Sequence, residues 1–542
     1  MLISALHLSK VMGNKTLFTD LGLHIDSGEK VALIGRNGQG KSTILNILGK
    51  EDSDYHGQIS RQKNLRTVLT KQEHVLEAKT TALDYILSSV PEYFNKQQII
   101  QNYENGTLSD LEEFSEAVEY FSAHGYYHLP DQIISTLQGF QIDQDQAFGP
   151  LSSLSGGEKR FVELVRMMFS RADLFLIDEP TNHMDYHGKA QFIDWLKANK
   201  NGILVVSHDR DVLEHVDRIL ELKDQKIFSY PGNYQKYLKQ NYLSTTSSVS
   251  LYQSQLNRLA EAKKRVEWGL QMRAKSKAWK IKYDHWQRDY DKIKAETVKP
   301  EFWIDQDSVK DLDKKLVDSY HKFKEKNVII TTTKTKEKLT QLIKVDDLEL
   351  SYEQPVFSNL RFTVGTGEKV FLKGRNGAGK STLVKTILSL YHEQTPQARL
   401  TAGQIKIGNK TRIGQYEQEI NPAYLPLSLE EALQQVYDEL SLPMTDMTIK
   451  RLLSQYLFDP RVDGRLKIGS LSGGQKARFQ LIKMFANSPN LLILDEPTNH
   501  LDLPSIEELE NALLAYQGGV LYTSHDSHFI DKMGGTVLEL RE

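Results

Sequence analysis

"LIGRNGQGKST", residues 33–43, returns almost unchanged as "LKGRNGAGKST", residues 372–382. Each copy follows a short apolar run and leads into a helical pattern of residues, so each reads as strand, loop and helix. Within them "GRNGQGKS" and "GRNGAGKS" fit the pattern G-x-x-x-x-G-K-[ST]. That chemistry is specific. Gly35, Asn37, Gly38 and Gly40, and again Gly374, Asn376, Gly377 and Gly379, let consecutive backbone N–H groups curl around phosphate oxygens. Lys41 or Lys380 then supplies the neutralising ammonium, Ser42 or Ser381 a hydroxyl for Mg²⁺, and Thr43 or Thr382 the next turn of the helix. A glycine-rich turn alone could mimic one such match. Two matches in the same strand–loop–helix context leave that explanation little room.

The repetition extends well beyond the loops. "LSGGEKRFVELVRMM" (154–168) comes back as "LSGGQKARFQLIKMF" (471–485), and "LFLIDEPTNHMD" (174–185) as "LLILDEPTNHLD" (491–502). From Ser155 to Glu179 is 24 residues and from Glu179 to His208 is 29; the intervals Ser472–Glu496 and Glu496–His525 are again 24 and 29. The chain is therefore a tandem duplication. Each half alternates Val-, Ile- and Leu-rich runs with helical patterns, which predicts an α/β fold around a mostly parallel sheet. Lys41 lies 114 residues before Ser155, whereas Lys380 lies 92 before Ser472, so the first half carries an insertion. The stretch 97–158 holds ten Asp or Glu and no Lys or Arg, with helical spacing in "LSDLEEFSEAVEYF", and predicts an acidic helical face within about 97–150. Boundaries follow at 1–239 for the first half, 240–342 for a linker that matches neither half, and 343–542 for the second.

The whole chain sets limits on the class. At 542 residues it exceeds what one core serves; 39% apolar and 26% charged residues suit a soluble globular protein. No apolar run approaches the roughly 20 residues of a spanning helix. The first residues lack the basic start of a signal peptide. With no cysteine there is no disulfide or thiolate metal site, which is in keeping with a reducing, cytoplasmic setting.

The apolar strands before Asp178 and Asp495 end in adjacent acids. Asp178 and Asp495 can hold the Mg²⁺ shell while Glu179 and Glu496 polarise an attacking water, since phosphoryl transfer needs a positioned nucleophile and neutralised charge. His208 and His525 close apolar strands and can hydrogen-bond a terminal phosphate; one such His would read as a capped strand end, but both stand at the same interval. Gln72 and Gln418 suit a metal and water contact, although a lone Gln is most often a surface residue.

These motifs together resemble the ATP-binding cassette superfamily, whose signature "LSGGQ" stands at Leu471–Gln475 and, with Glu158 in the last place, at Leu154–Glu158. The resemblance covers both halves. It implies two tandem ATP-binding-cassette domains that sandwich two ATP molecules with Mg²⁺, each phosphate loop facing the other half's signature. Lys41 would then work with Ser472, Gly473 and Gly474, and Lys380 with Ser155, Gly156 and Gly157, whose N–H groups and helix dipoles suit an anion. The superfamily stacks an aromatic ring on the adenine: Tyr352 fits at the second site, whereas Met12 stands at the matching place of the first, so stacking there is in doubt.

The linker decides what the pair acts on. Between 251 and 300 there are 13 Lys or Arg against 6 Asp or Glu, a net +7 in a chain of net charge -3. Tyr283, Trp286, Tyr290 and Ile293 recur at helical spacing, as do Val309, Leu312, Leu316, Tyr320 and Phe323, and predict a long α-helical hairpin with a shared seam. Its turn falls either near 298–306 or near 269–277. Most of the aromatics belong to the seam; the basic residues on the other faces suit phosphates. A fused pair of cassettes with such a linker is similar to the ABC-F family. That resemblance implies an ATP hydrolase that binds the 70S ribosome at its tRNA exit site, touching rRNA and P-site tRNA. Among ABC-F proteins the long linker is like that of the antibiotic-resistance members, with a housekeeping translation factor as the near alternative. A transporter subunit and a DNA-maintenance ATPase are the rivals from other classes. The expectation is a cytoplasmic monomer whose cassettes pair within the chain, with no membrane and no DNA partner.

Overall fold

The computed structural model describes residues 1–540 except 14, 71–79, 108–109, 155, 183, 298–340, 353–354, 418–419, 457, 472 and 500. It divides into two compact units, one formed by Met1–Ser229 with Val328–Glu542 and the other by Tyr230–Asn327.

In the first unit the first cassette begins with β1 (Ile3–Met12), β2 (Lys15–Ile25), β3 (Lys30–Gly35), β4 (His56–Arg61) and β5 (Thr67–Leu69). It continues with β6 (Leu174–Asp178), β7 (Gly202–Val206), β8 (Arg218–Lys223) and β9 (Lys226–Pro231). The central sheet runs β5-β6-β7-β3-β8-β9, and β5, β6, β7, β3 and β8 pair in parallel. All five residues of β6 and of β7 are buried, as a strand covered on both faces requires. Beside it lies an antiparallel sheet, β2-β1-β4. Leu8, Phe18, Ile44, Leu48 and Leu204 join the two layers in one core, where each fully buried Leu, Ile or Phe contributes about 1.5–3 kcal/mol.

The second cassette repeats the plan. Its strands are β10 (Ile343–Ser351), β11 (Pro355–Val364), β12 (Lys369–Lys373), β13 (Arg399–Ile407), β14 (Ile413–Tyr416), β15 (Leu491–Leu494), β16 (Gly519–Tyr522) and β17 (Thr536–Glu539). The sheet order β14-β15-β16-β12-β17 matches β5-β6-β7-β3-β8, and β11-β10-β13 matches β2-β1-β4. In both cassettes the parallel strands end on one side, where their loops meet the helices Lys41–Leu48 and Lys380–Tyr391. That common edge is where α/β sheets place their ligands.

The insertion is a helix pair, Tyr93–Glu104 and Leu111–His124. Two isolated bridges, Thr81 with Pro150 and Ser428 with Lys467, bracket equivalent segments of 69 and 39 residues, so about 30 residues are extra in the first half. Asp110 caps the second helix through Glu112 N–H and Glu113 N–H, and the Tyr103 and Phe114 rings stack at 4.1 Å to close the pair.

The second unit is a helical hairpin. Its arms are Tyr234–Met272, 39 residues and on the order of 58 Å at 1.5 Å per residue, and Lys277–Glu296. The chain turns between them at 273–276, where Ser276 caps the second arm through Trp279 N–H. Of the two places expected for a turn, 269–277 holds one; the other, 298–306, lies outside the described residues. Trp268 packs against Trp279 and Trp286 at 5.0 and 5.9 Å between ring centroids. Gly269 makes that close approach possible, because a Cβ there would stand 3.0 Å from the Trp286 ring. Tyr283, Trp286, Tyr290 and Ile293 are half-buried along the seam; the stripe expected from Val309 to Phe323 lies outside the described residues.

Candidate nucleotide sites between the cassettes

Each phosphate loop is shaped by backbone that only glycine adopts readily. Gly40 and Gly379 cap their helices with φ of 104° and 85°, and Gly38 and Gly377 have φ of 78° and 86°. At Gly379 an added Cβ would lie 2.4 Å from Val356 Cγ1. Gly35 and Gly374 end or follow the central strands, and Asn37 and Asn376 stand at the crests of the loops. Lys41 donates to the carbonyls of Gly35 (2.7 Å) and Arg36 (3.2 Å); Lys380 donates to those of Gly374 (2.7 Å) and Arg375 (3.0 Å). Burial lowers the pKa of both ammonium groups, opposed by the nearby acids Glu179 and Glu496. Ser42, Thr43, Ser381 and Thr382 occupy the first turns of their helices, with both serines exposed at the mouth of the loop.

Asp178 closes β6, and Asp495 follows β15 directly. The next residues, Glu179 and Glu496, have left-handed backbones (φ 45° and 47°), a strained turn in both cassettes. Burial pushes both carboxyls up, to about 8, against the pull of Lys41 and Lys380. His208 Nε2 lies 3.5 Å from Glu179 Oε1, and His525 Nε2 lies 3.3 Å from Glu496 Oε1. Burial and the adjacent lysines hold both imidazoles down, to about 3, so they are neutral. Neither ring nitrogen of His208, nor Glu496 Oε1, makes a hydrogen bond among the described residues. Buried polar atoms without partners call for one. The glycine cradle, the orphaned acceptors and donors, and a carboxylate with a serine hydroxyl in each cassette together fit a nucleoside triphosphate with Mg²⁺.

The two sites share one interface. Asp502 accepts from Asn37 N–H at 3.0 Å and Asp185 from Asn376 N–H at 3.4 Å, each across to the other cassette. In both, one carboxylate oxygen makes that contact while the other caps the helix that follows: Asp185 Oδ1 takes His187 N–H and Gly188 N–H, and Asp502 Oδ1 takes Ser505 N–H. A cavity of about 230 Å³ lies between, lined by Glu179, His208, Asn37, Thr498 and His525 among others. Lys189 bridges Asp209 and Asp211 and reaches the His525 carbonyl at 3.4 Å. Arg210, two residues after His208, donates to the fully buried Glu510 of the second cassette at 3.1 Å, and Glu510 also takes Lys532 at 2.9 Å.

Gln72, Gln418, Ser155 and Ser472 lie outside the described residues. The glycines after the two serines do appear: Gly156 and Gly473 open the helices Gly156–Phe169 and Gly473–Phe485, with Gly157 and Gly474 next. Tyr352 and Met12 are both about half exposed, at the ends of β10 and β1. Sequence reasoning passed over Asp185 and Asp502, although "TNHMD" and "TNHLD" repeat and each Asp stands where a helix cap belongs. Lys189, Arg210 and Glu510 left no such trace, since their equivalents in the other half are Ile506, Ser527 and Ile193.

The family model for ABC transporter domains matches residues 18–182 and 357–499. The chain is 31% identical to the ATP-binding protein YdiF of Bacillus subtilis over 552 residues, covering all of this chain and 80% of that one. It is 30% identical to the ATP-binding protein Uup of Buchnera aphidicola over 94% of this chain and 76% of that protein. Among solved structures, RNase-L Inhibitor covers 98% of this chain and 87% of its own with a TM-score of 0.58 at 15% identity. An archaeal ribosome recycling factor, in complex with a ribosomal stalk protein, aligns over 98% of this chain and 87% of its own at a TM-score of 0.56. At such identity the likeness concerns the fold of paired cassettes alone.

Proposed function

The chain belongs to the ABC transporter family of ATP-binding-cassette proteins, and on that premise we propose that it is a ribosome-binding ATPase of the ABC-F type. Its basic hairpin, set between two cassettes, is the observation that carries this reading. Arg273, Lys275, Lys277, Lys280 and Lys282 cluster, exposed, around the turn at 273–276, with Trp268 and Ile281 exposed among them. Arg273 sits over Tyr283 and Lys282 over Trp279. A tip of packed rings with guanidinium and ammonium groups over them suits RNA, where bases stack and phosphates pair. An arm on the order of 58 Å has the reach to enter a folded RNA particle. No helix among the described residues is long and apolar enough to cross a membrane.

The chemistry rests on the chain's own groups. Asn37, Asn376 and the glycine loops present N–H donors to the phosphates, and Lys41 and Lys380 balance their charge. Bound Mg²⁺, held by Ser42 with Asp178 and by Ser381 with Asp495, supplies further neutralisation of the transferring phosphoryl group. Glu179 and Glu496, with carboxyls near neutral pKa, take the proton of the attacking water. Neutral His208 and His525 each turn a ring N–H toward the terminal phosphate, His525 giving up the contact its Nε2 makes with Lys380 Nζ at 3.4 Å. Binding of ATP draws the cassettes together, and hydrolysis releases them. The finer reading is that the hairpin tip enters at the tRNA exit site and protects translation from drugs acting at the peptidyl-transferase centre.

The double variant Glu179→Gln, Glu496→Gln keeps binding and removes the base. It should sediment with 70S ribosomes in ATP, and less so as salt rises; remaining at the top of the gradient refutes ribosome binding. Expression in a susceptible host should raise inhibitory concentrations of peptidyl-transferase drugs, and no change for any class would leave the resistance reading without support.

A further inference from the structure

We infer that Thr523 is a positioning residue for Asp495, a role that its counterpart in the first cassette, Val206, cannot fill. This rests on the reading that Asp495 binds Mg²⁺. Thr523 is fully buried just after β16, with its N–H bonded to the Leu494 carbonyl at 2.9 Å. Its hydroxyl oxygen accepts the Glu496 N–H at 2.9 Å, so the hydroxyl proton is left to go to Asp495 Oδ1 at 2.8 Å. One hydroxyl therefore pins both acids: it secures the left-handed turn at Glu496 and fixes the Asp495 carboxylate through Oδ1, so that Oδ2 would be the oxygen left for a metal. Groups that orient a metal ligand in this way are worth about 10–100-fold in metal affinity.

The first cassette is built otherwise. The equal interval from acid to histidine makes Val206 the counterpart of Thr523, and Val206 has no hydroxyl. There the Glu179 N–H goes to the Val206 carbonyl at 2.9 Å. Strand register makes Thr70 the counterpart of Tyr416, because Leu69 pairs with Leu176 as Gln415 pairs with Ile493. Thr70 supplies its oxygen from the opposite neighbouring strand and accepts the Asp178 N–H at 3.0 Å. That bond fixes backbone. In the second cassette the Thr523 hydroxyl reaches the Asp495 carboxylate as well.

The test uses the full chain with Lys41→Ala, so that only the second site counts, and titrates Mn²⁺ with a non-hydrolysable ATP analogue, reading free Mn²⁺ by electron paramagnetic resonance. Thr523→Val, of matching shape, should weaken Mn²⁺ binding about 10–100-fold. Metal-free binding of the analogue should change less than about twofold, because the phosphate loop is untouched, and Thr523→Ser should restore Mn²⁺ affinity to within about threefold, since it returns the hydroxyl. Thr523→Ala carries the same expectation as Thr523→Val and replaces it if that variant does not fold. Unchanged Mn²⁺ affinity in the Val or Ala variant, with affinity lost in Asp495→Asn, overturns the role of Thr523 and leaves the metal assignment standing. Unchanged affinity in Asp495→Asn overturns the assignment itself.

Discussion

Glu510 joins Arg210 of the first cassette to His528 and Lys532 of the second, and replacing it by Gln should weaken the fold measurably. Burial by itself would raise its carboxyl pKa; His528, Arg210 and Lys532 outweigh burial and bring it from 4.5 to about 2. At about 1.4 kcal/mol for each tenfold, the charged form contributes about 3 kcal/mol. Because the folded pKa lies below the unfolded one, that contribution is complete above about pH 4.5 and is lost as pH falls toward 2. Glu510→Gln at pH 7 removes it and leaves Arg210 facing an amide, a loss of about 3 kcal/mol or somewhat more. Urea unfolding of the full chain should show the transition at lower denaturant for the variant. The gap between the two proteins should hold from pH 7 to about pH 5 and close as the pH is lowered further. Joint replacement of Arg210, Lys532 and Glu510 by Met should regain most of the loss, since an apolar set leaves neither cation facing a missing carboxylate. A Glu510→Gln protein within about 0.5 kcal/mol of the parent, a change typical of ordinary surface positions, would refute this account of the interface.

Gly379→Ala should abolish nucleotide binding at the second site while sparing the first, because its Cβ would collide with Val356 at a φ of 85°; fluorescent ATP-analogue stoichiometry falling from two to one would show this. Replacing Arg273, Lys275, Lys277, Lys280 and Lys282 by Gln should lower ribosome co-sedimentation about uniformly and flatten its salt dependence by up to about five phosphate contacts, with the slope of log affinity against log salt as the readout. ATP turnover without ribosomes should stay within about twofold, since none of the five contacts nucleotide. A slope unchanged from the parent would mean that the tip is not the RNA-contacting surface.

The features legible in advance were those with local or periodic signatures. A buried parallel strand ending in two acids has a recognisable pattern, as do a glycine loop before a helix and a repeated interval. These placed Lys41, Asp178, Glu179 and His208, with their partners in the second half, on one edge of each sheet. The insertion showed through its acidic helical spacing, though its first helix starts at Tyr93, where Lys96 interrupts the acidic run. The pairing of Arg210 with Glu510 spans 300 residues and that of Asn37 with Asp502 spans 465. Such contacts leave no periodicity, since only the folded interface brings them together. Of the two turn signals in the hairpin, Pro300 lies outside the described residues, whereas Ser276 as a cap, with Trp268 packed on Trp279 and Trp286, folds the arms back at 273–276.

The divided carboxylates of Asp185 and Asp502 also bear on how such a machine can cycle. If the cassettes part, each Asp gives up its link to the facing loop with one oxygen while the other keeps its helix wound. At these two aspartates parting therefore costs about one hydrogen bond per side, roughly 0.5–1.5 kcal/mol, in addition to the Arg210–Glu510 contact, and no helix cap has to be rebuilt afterwards. A seam fastened in this way can be undone and remade many times without wear on the parts it joins.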